Sequence, residues 1–224
     1  MADGQSGSRD EAFGYVCRRC AKCCHNTLIQ VDPYEIARLA GRFGQTTTEF
    51  RTSSTMDGAG VHLRQKENGA CIFLGPEGCT VYSDRPLVCR VYPLGRHVDG
   101  EGKEHWIHVA PHPESLGEYS KEGTIGDYVA AQEIEPFTKA TAAYTAWVGR
   151  AAAMIGSQQK EPEGDSKHDT SMKDAYHLID MDAAIAGYCS SASIAPPTGI
   201  EARLELHLAI LNRHLDELKG ADDD

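Results

Sequence analysis

The 224-residue chain has no apolar run approaching the 18 residues that a membrane-spanning helix needs. Its opening stretch, MADGQSGSRDEAFGY, lacks the apolar core of a secretory signal. We therefore expect no membrane association and a cytoplasmic location, where thiols stay reduced. Positive charge is also scarce. There are 22 Lys and Arg against 33 Asp and Glu, a net charge of −11, which argues against nucleic-acid binding. No G-x-G-x-x-G, Walker loop or G-x-S-x-G occurs, so ordinary dinucleotide, P-loop and serine-hydrolase chemistry has no support.

The charge deficit is uneven. Residues 13–106 hold 12 basic and 10 acidic residues, whereas 107–224 hold 9 and 20. The eight cysteines are uneven too. Cys17, Cys20, Cys23 and Cys24 fall within eight residues, Cys71, Cys79 and Cys89 follow, and Cys189 stands apart. Eight in 224 is too sparse for a small secreted disulfide scaffold, and seven in one half would leave one unpaired. In a reducing compartment such clustering favours metal over disulfides.

Thiolates select zinc, copper(I) or iron–sulfur clusters. A C-x2-C-x2-C run can set three thiolates around one cuboidal cluster, with the fourth supplied from a distance. Cys17, Cys20 and Cys23 have that spacing, and Cys24, Cys71, Cys79 and Cys89 complete the candidate ligand set. Seven sulfurs exceed one tetrahedral site, and two sites would need an eighth ligand, for which His25 and His97 are candidates. Cys189 reads as a small buried hydrophobe. His105 and His108 fall on opposite faces of a strand, His112 lies just beyond, and His207 and His214 share a helix face, so none of these forms an obvious metal pair.

The pattern predicts an α+β fold: a small Cys-rich metal-binding domain of short strands and helices, extended by a helical C-terminal segment. Residues 1–12 read as a disordered tail, 13–112 as the cysteine domain and 113–219 as helical with a flexible linker at 157–171. An acidic tail follows at 220–224. Asp32, Pro33 and Glu35 signal a helix start, and Gly44 its end. Residues 45–70 read as weakly structured. Cys71–Leu74 and Cys79–Tyr82 read as strands joined by Gly75–Gly78, and 105–109 as a strand. Helices are expected over 124–134, 137–155, 180–189 and 198–218.

Together, C17-x2-C-x2-CC24, C71-I-F-L, C79-T-V-Y and D84-R-P-L-V-C-R-V-Y-P93 closely resemble the YkgJ-type cysteine cluster family, a zinc- or iron-chelating domain named for CxxCxxCC. The resemblance spans about residues 15–110. It implies that the seven cysteines hold an iron–sulfur cluster, [4Fe–4S] in form, or zinc. The family also includes flagellin lysine N-methylase-like proteins, which implies methyl transfer to a protein substrate. S-adenosylmethionine would serve as donor, although no motif for it is present. The alternative is a non-catalytic zinc module whose acidic helical half binds a protein partner. Arg85 and Arg90 flank the last family cysteine and are candidate cofactor-binding residues. They suit an anion clamp or charge compensation beside thiolates, or else salt bridges holding a Pro turn. Oligomeric state is not legible.

Overall fold

The computed structural model describes residues 6–58, 60–158 and 179–220. The chain divides into two compact units that do not follow the two sequence halves. One comprises residues 1–31 and 54–138, the other 32–53 and 139–224. The expected linker at 157–171 and the acidic tail at 220–224 lie almost wholly outside the described residues.

The first unit is built on short antiparallel strands. A three-stranded sheet has the order β1 (Ser6–Gly7), β8 (Glu104–His108), β7 (Leu94–Val98). Three two-stranded ribbons accompany it: β2 (Ala12–Val16) with β9 (Glu118–Thr124), β3 (Thr55–Gly58) with β4 (Gly60–Leu63), and β5 (Leu74–Gly75) with β6 (Gly78–Cys79). Residues 6–11, expected as part of a disordered tail, are placed against the sheet, with Arg9 on Glu104. Phe13, Val91, Leu94, Trp106, Ile125, Val129 and Ile134 form the core, to which helices α3 (Leu87–Val91) and α4 (Ile125–Ala131) contribute. Trp106, fully buried, is paired in register with Gly7 on one side and Arg96 on the other. The capping box that starts α4, Thr124 with Asp127, holds the chain where the exposed strand β9 ends.

The second unit is helical. α1 (Pro33–Arg42) begins as its sequence predicts: the Asp32 carboxylate accepts from the Glu35 N–H, Glu35 answers on the Asp32 N–H, and Pro33 sits at the first position. The expected weak structure at 45–70 contains instead α2 (Thr47–Ser54) and the β3–β4 hairpin. Glu49 folds back onto Thr46, Phe50 is fully buried, and Thr47 bonds the Asp180 and Asp182 carboxylates. Tertiary anchoring thus overrides the poor helix propensity of a Thr-rich stretch. α5 (Glu135–Gln158) accommodates Pro136 in its first turn, where a missing N–H costs nothing. α6 (Met181–Ala192) and α7 (Ile200–Gly220) complete the unit. On α7, Leu204, His207, Leu211 and Leu215 recur at helical spacing and are all buried. Trp147 Nε1 donates to the Leu211 carbonyl at 2.9 Å, and the Tyr144 hydroxyl meets His207 Nδ1 at 2.9 Å. Cys189 is 3% exposed beside Ala37, Met181 and Ile185, an apolar setting that fits the packing expectation. No helix among the described residues is long and apolar enough to cross a membrane.

Candidate metal centre

The loop that carries the first four cysteines is bent by residues that resist the bending. Arg19 (φ 52°) and Ala21 (φ 62°) occupy the left-handed region between Cys17, Cys20 and Cys23, and Asn26 (φ 54°) follows just beyond. Each non-glycine residue there costs about 1 kcal/mol or more, and such strain concentrates at functional sites. The bends turn the chain so that the thiols on either side of them meet the same space. A 3-10 turn at Lys22–Cys24 then sets Cys23 and Cys24.

Backbone bonds tie this loop to the later cysteines. The Cys71 N–H donates to the Cys24 carbonyl at 2.8 Å, and the Asn26 N–H to the Gly69 carbonyl at 2.8 Å. The expected strands at 71–74 and 79–82 shrink to the two-residue pair β5–β6, closed by Gly78 (φ 106°). That hairpin carries Cys79. Cys89 lies on α3, which follows Pro86.

All seven cysteines of the first unit, Cys17 through Cys89, line one cavity of about 130 Å³. A single water needs roughly 10–15 Å³ by the same measure, so the space greatly exceeds one ion. Its wall contains Tyr15, Tyr82, Tyr92, Tyr128 and Phe73, together with the cations Arg19, Arg85 and Arg90. Among the described residues, no Asp, Glu, His or Lys lines it. His25 and His97 stand outside the wall: His25 Nδ1 meets the Ala21 carbonyl at 3.1 Å, and His97 pairs with His105 across β7 and β8. Among the described residues, no three His, Cys, Asp or Glu side chains converge as a ready-made ion site. The thiols surround a space instead.

The sulfurs differ in their readiness to ionise. Backbone N–H groups of Leu116 and Lys22 hold the Cys20 thiol below its ordinary range. The Leu116 contact is 3.5 Å, and the Arg19 N–H lies 3.4 Å from Cys17 Sγ. Cys24 donates its S–H to Cys23, bringing Cys23 down to about 7 and pushing Cys24 up. Burial raises Cys71. Burial also raises the phenols of Tyr15, Tyr92 and Tyr128, Tyr15 to about 12, so these three remain neutral. A sulfur-only donor set fits soft metal centres and not magnesium or calcium. N–H donors on the sulfurs are features that favour thiolate over thiol.

The two arginines of the sequence analysis part company. Arg90 is 4% exposed, and its guanidinium donates to the carbonyls of Arg85 and Gln132, both at 2.9 Å, and of Ser83. It also stacks 4.3 Å above Phe137. These contacts brace the backbone around Cys89. Arg85 donates to the Tyr82 carbonyl and to Gln132 Oε1 and lies over the Tyr82 ring. Arg19 escaped sequence reasoning, although a basic pair inside the first C-x2-C was the available signal.

A cavity walled by thiols, phenols and guanidiniums is the candidate chelating site. Residues 16–111 match the family model CxxCxxCC, "Putative zinc- or iron-chelating domain". No curated protein and no solved structure matches the chain.

Proposed function

We propose that the cavity holds an iron–sulfur cluster, with ligands drawn from Cys17, Cys20, Cys23, Cys24, Cys71, Cys79 and Cys89. The observation that carries this reading is the wall itself: seven thiols, no carboxylate or imidazole among the described residues, and a volume well beyond one ion. One zinc and one cluster would each take four of the seven sulfurs, so it is the volume of the space that favours the cluster. A cluster is anionic when held by thiolates, and it is tuned by hydrogen bonds to sulfur and by its surroundings. The Arg19 and Leu116 N–H groups and the nearby guanidiniums supply both influences. When bound, the cluster supplies one-electron chemistry or an iron Lewis acid. The residues around it hold it, bias its thiols toward thiolate and cover it with phenols.

The reading stops at the metal. Lysine methylation and a protein partner stay implications of resemblance, with no described residue group to carry them. Anaerobic purification with iron, sulfide and zinc analysis is the test. A brown protein absorbing near 400 nm with matching iron and sulfide supports the proposal. A colourless protein with stoichiometric zinc replaces it with the structural zinc module.

A further inference from the structure

Two permanent cations share one aromatic ring at this cavity. The Arg19 guanidinium carbon lies 4.2 Å from the Tyr82 ring centroid and that of Arg85 lies 4.0 Å from it. All three residues line the cavity. Cation–π attraction offsets part of the repulsion between two like charges, but a phenol carries no net charge. The hydrogen bonds of Arg85 go to a carbonyl and an amide oxygen, both neutral. Among the described residues neither arginine forms an ion pair, although other arginines do: Arg9, Arg18, Arg96, Arg203 and Arg213 each sit on a carboxylate. Among the described residues, no acid to answer this charge stands in the cavity wall either. Seven ionisable thiols are what the wall offers instead.

We propose that Arg19 and Arg85, held on Tyr82, are the counter-charge of the thiolate–metal centre and set its affinity and potential. The inference rests on the metal reading above and deepens it. Arginine stays protonated at any working pH, so the positive field is fixed before the metal arrives. Ionising the thiols to bind metal then discharges an existing imbalance instead of creating a new one. Arg90 also lines the cavity, but its guanidinium braces three backbone carbonyls and packs on Phe137, so its replacement would disturb the fold together with the charge and it is kept out of the test. Tyr82 positions the pair, and its ring fixes where the charge sits.

The test compares the intact chain with Arg19→Gln, Arg85→Gln, the double variant and Arg85→Lys. Metal per chain, zinc affinity by competition with a chromophoric chelator, and the midpoint potential of the iron-loaded form are read. Dithionite supplies the single electron. Each Gln variant is expected to bind metal about tenfold more weakly, since a tenfold change is what outer-shell partners typically cost. Its midpoint is expected to move negative, because a reduced, more anionic centre loses a cation. The double variant moves further, and Arg85→Lys recovers part of both shifts. Melting of the metal-free variants stays near the parent, which separates charge from folding. If the parent binds metal while affinity and midpoint in the Gln variants match it, the inference fails alone. If the parent binds neither iron nor zinc, it falls together with the reading beneath it.

Discussion

Cys89 and Cys189 both sit on helices, of five and twelve residues, one in each unit. Their neighbours make them different chemical groups. Cys89 lines a cavity with six other thiols and a set of guanidiniums, and it interacts electrostatically with Cys24. Cys189 packs among Ala37, Met181 and Ile185. The contrast extends to whole units. The second is held by apolar helix faces and a few buried polar pairs. The first has short strands, a modest apolar core and a large polar-and-sulfur site. A small domain with limited core commonly draws part of its folding energy from metal.

The largest expected effect breaks or confirms that contrast directly. Cys79→Ser should lower metal affinity by more than about 100-fold, because even outer-shell changes cost about 10–100-fold. Cys189→Ala should keep full metal content and cost about 1 kcal/mol, the loss of one small buried apolar group. Metal analysis and urea unfolding of the two variants read both quantities. A metal-depleted Cys189→Ala protein would erase the distinction between the units.

A second comparison concerns buried polar groups. Removing the guanidinium in Arg90→Met takes the charged donor from three carbonyls in the first unit, which we expect to cost about 3 kcal/mol. Tyr144→Phe in the second unit removes one hydrogen bond to His207 and should cost about 1 kcal/mol. Urea unfolding of the fully metallated proteins orders the two. Equal costs would mean that Arg90 is not the brace described.

These expectations also mark what local sequence could reveal. The start of α1 was legible because Asp32, Pro33 and Glu35 act within one turn. The cysteine grouping was legible because its spacing is short. α2 was not, since its Thr-rich sequence is held by Asp180 and Asp182, more than 130 residues away. β9 (EYSKEGT) was missed because an exposed strand with no apolar alternation carries no period-2 signal. The unit boundaries escaped for the same reason: residues 32–53 join partners beyond 139, a pairing that no local pattern encodes. At the cavity, Arg85 and Arg90 looked equivalent in sequence. Only the fold shows one committed to carbonyls and the other stacked beside Arg19 on Tyr82.

The smallest effect, and the sharpest in sign, is in pH dependence. In the first unit Glu104 accepts from Arg9 and Arg96, both at 2.6 Å. Burial pushes its carboxyl up, but the two guanidiniums outweigh this and hold it below the usual range. An unfolded Glu binds its proton near pH 4.3, so the stability this carboxylate adds is complete above that pH. It is then lost as pH falls through the lower folded value. In the second unit, burial instead raises Asp32, despite bonds from Glu35, Thr141 and Tyr34. Its contribution has the opposite sign: it is present below the unfolded value near 3.9 and lost as pH rises through the folded one. Thermal melting from pH 7 to pH 3 should show Glu104→Gln closing on the parent below about pH 4.3. Asp32→Asn, which keeps an acceptor at the helix cap, should lose the gain that acid confers on the parent. Parallel curves for both variants would mean that the two carboxylates share one environment, contrary to the ion pairs on one and the burial of the other.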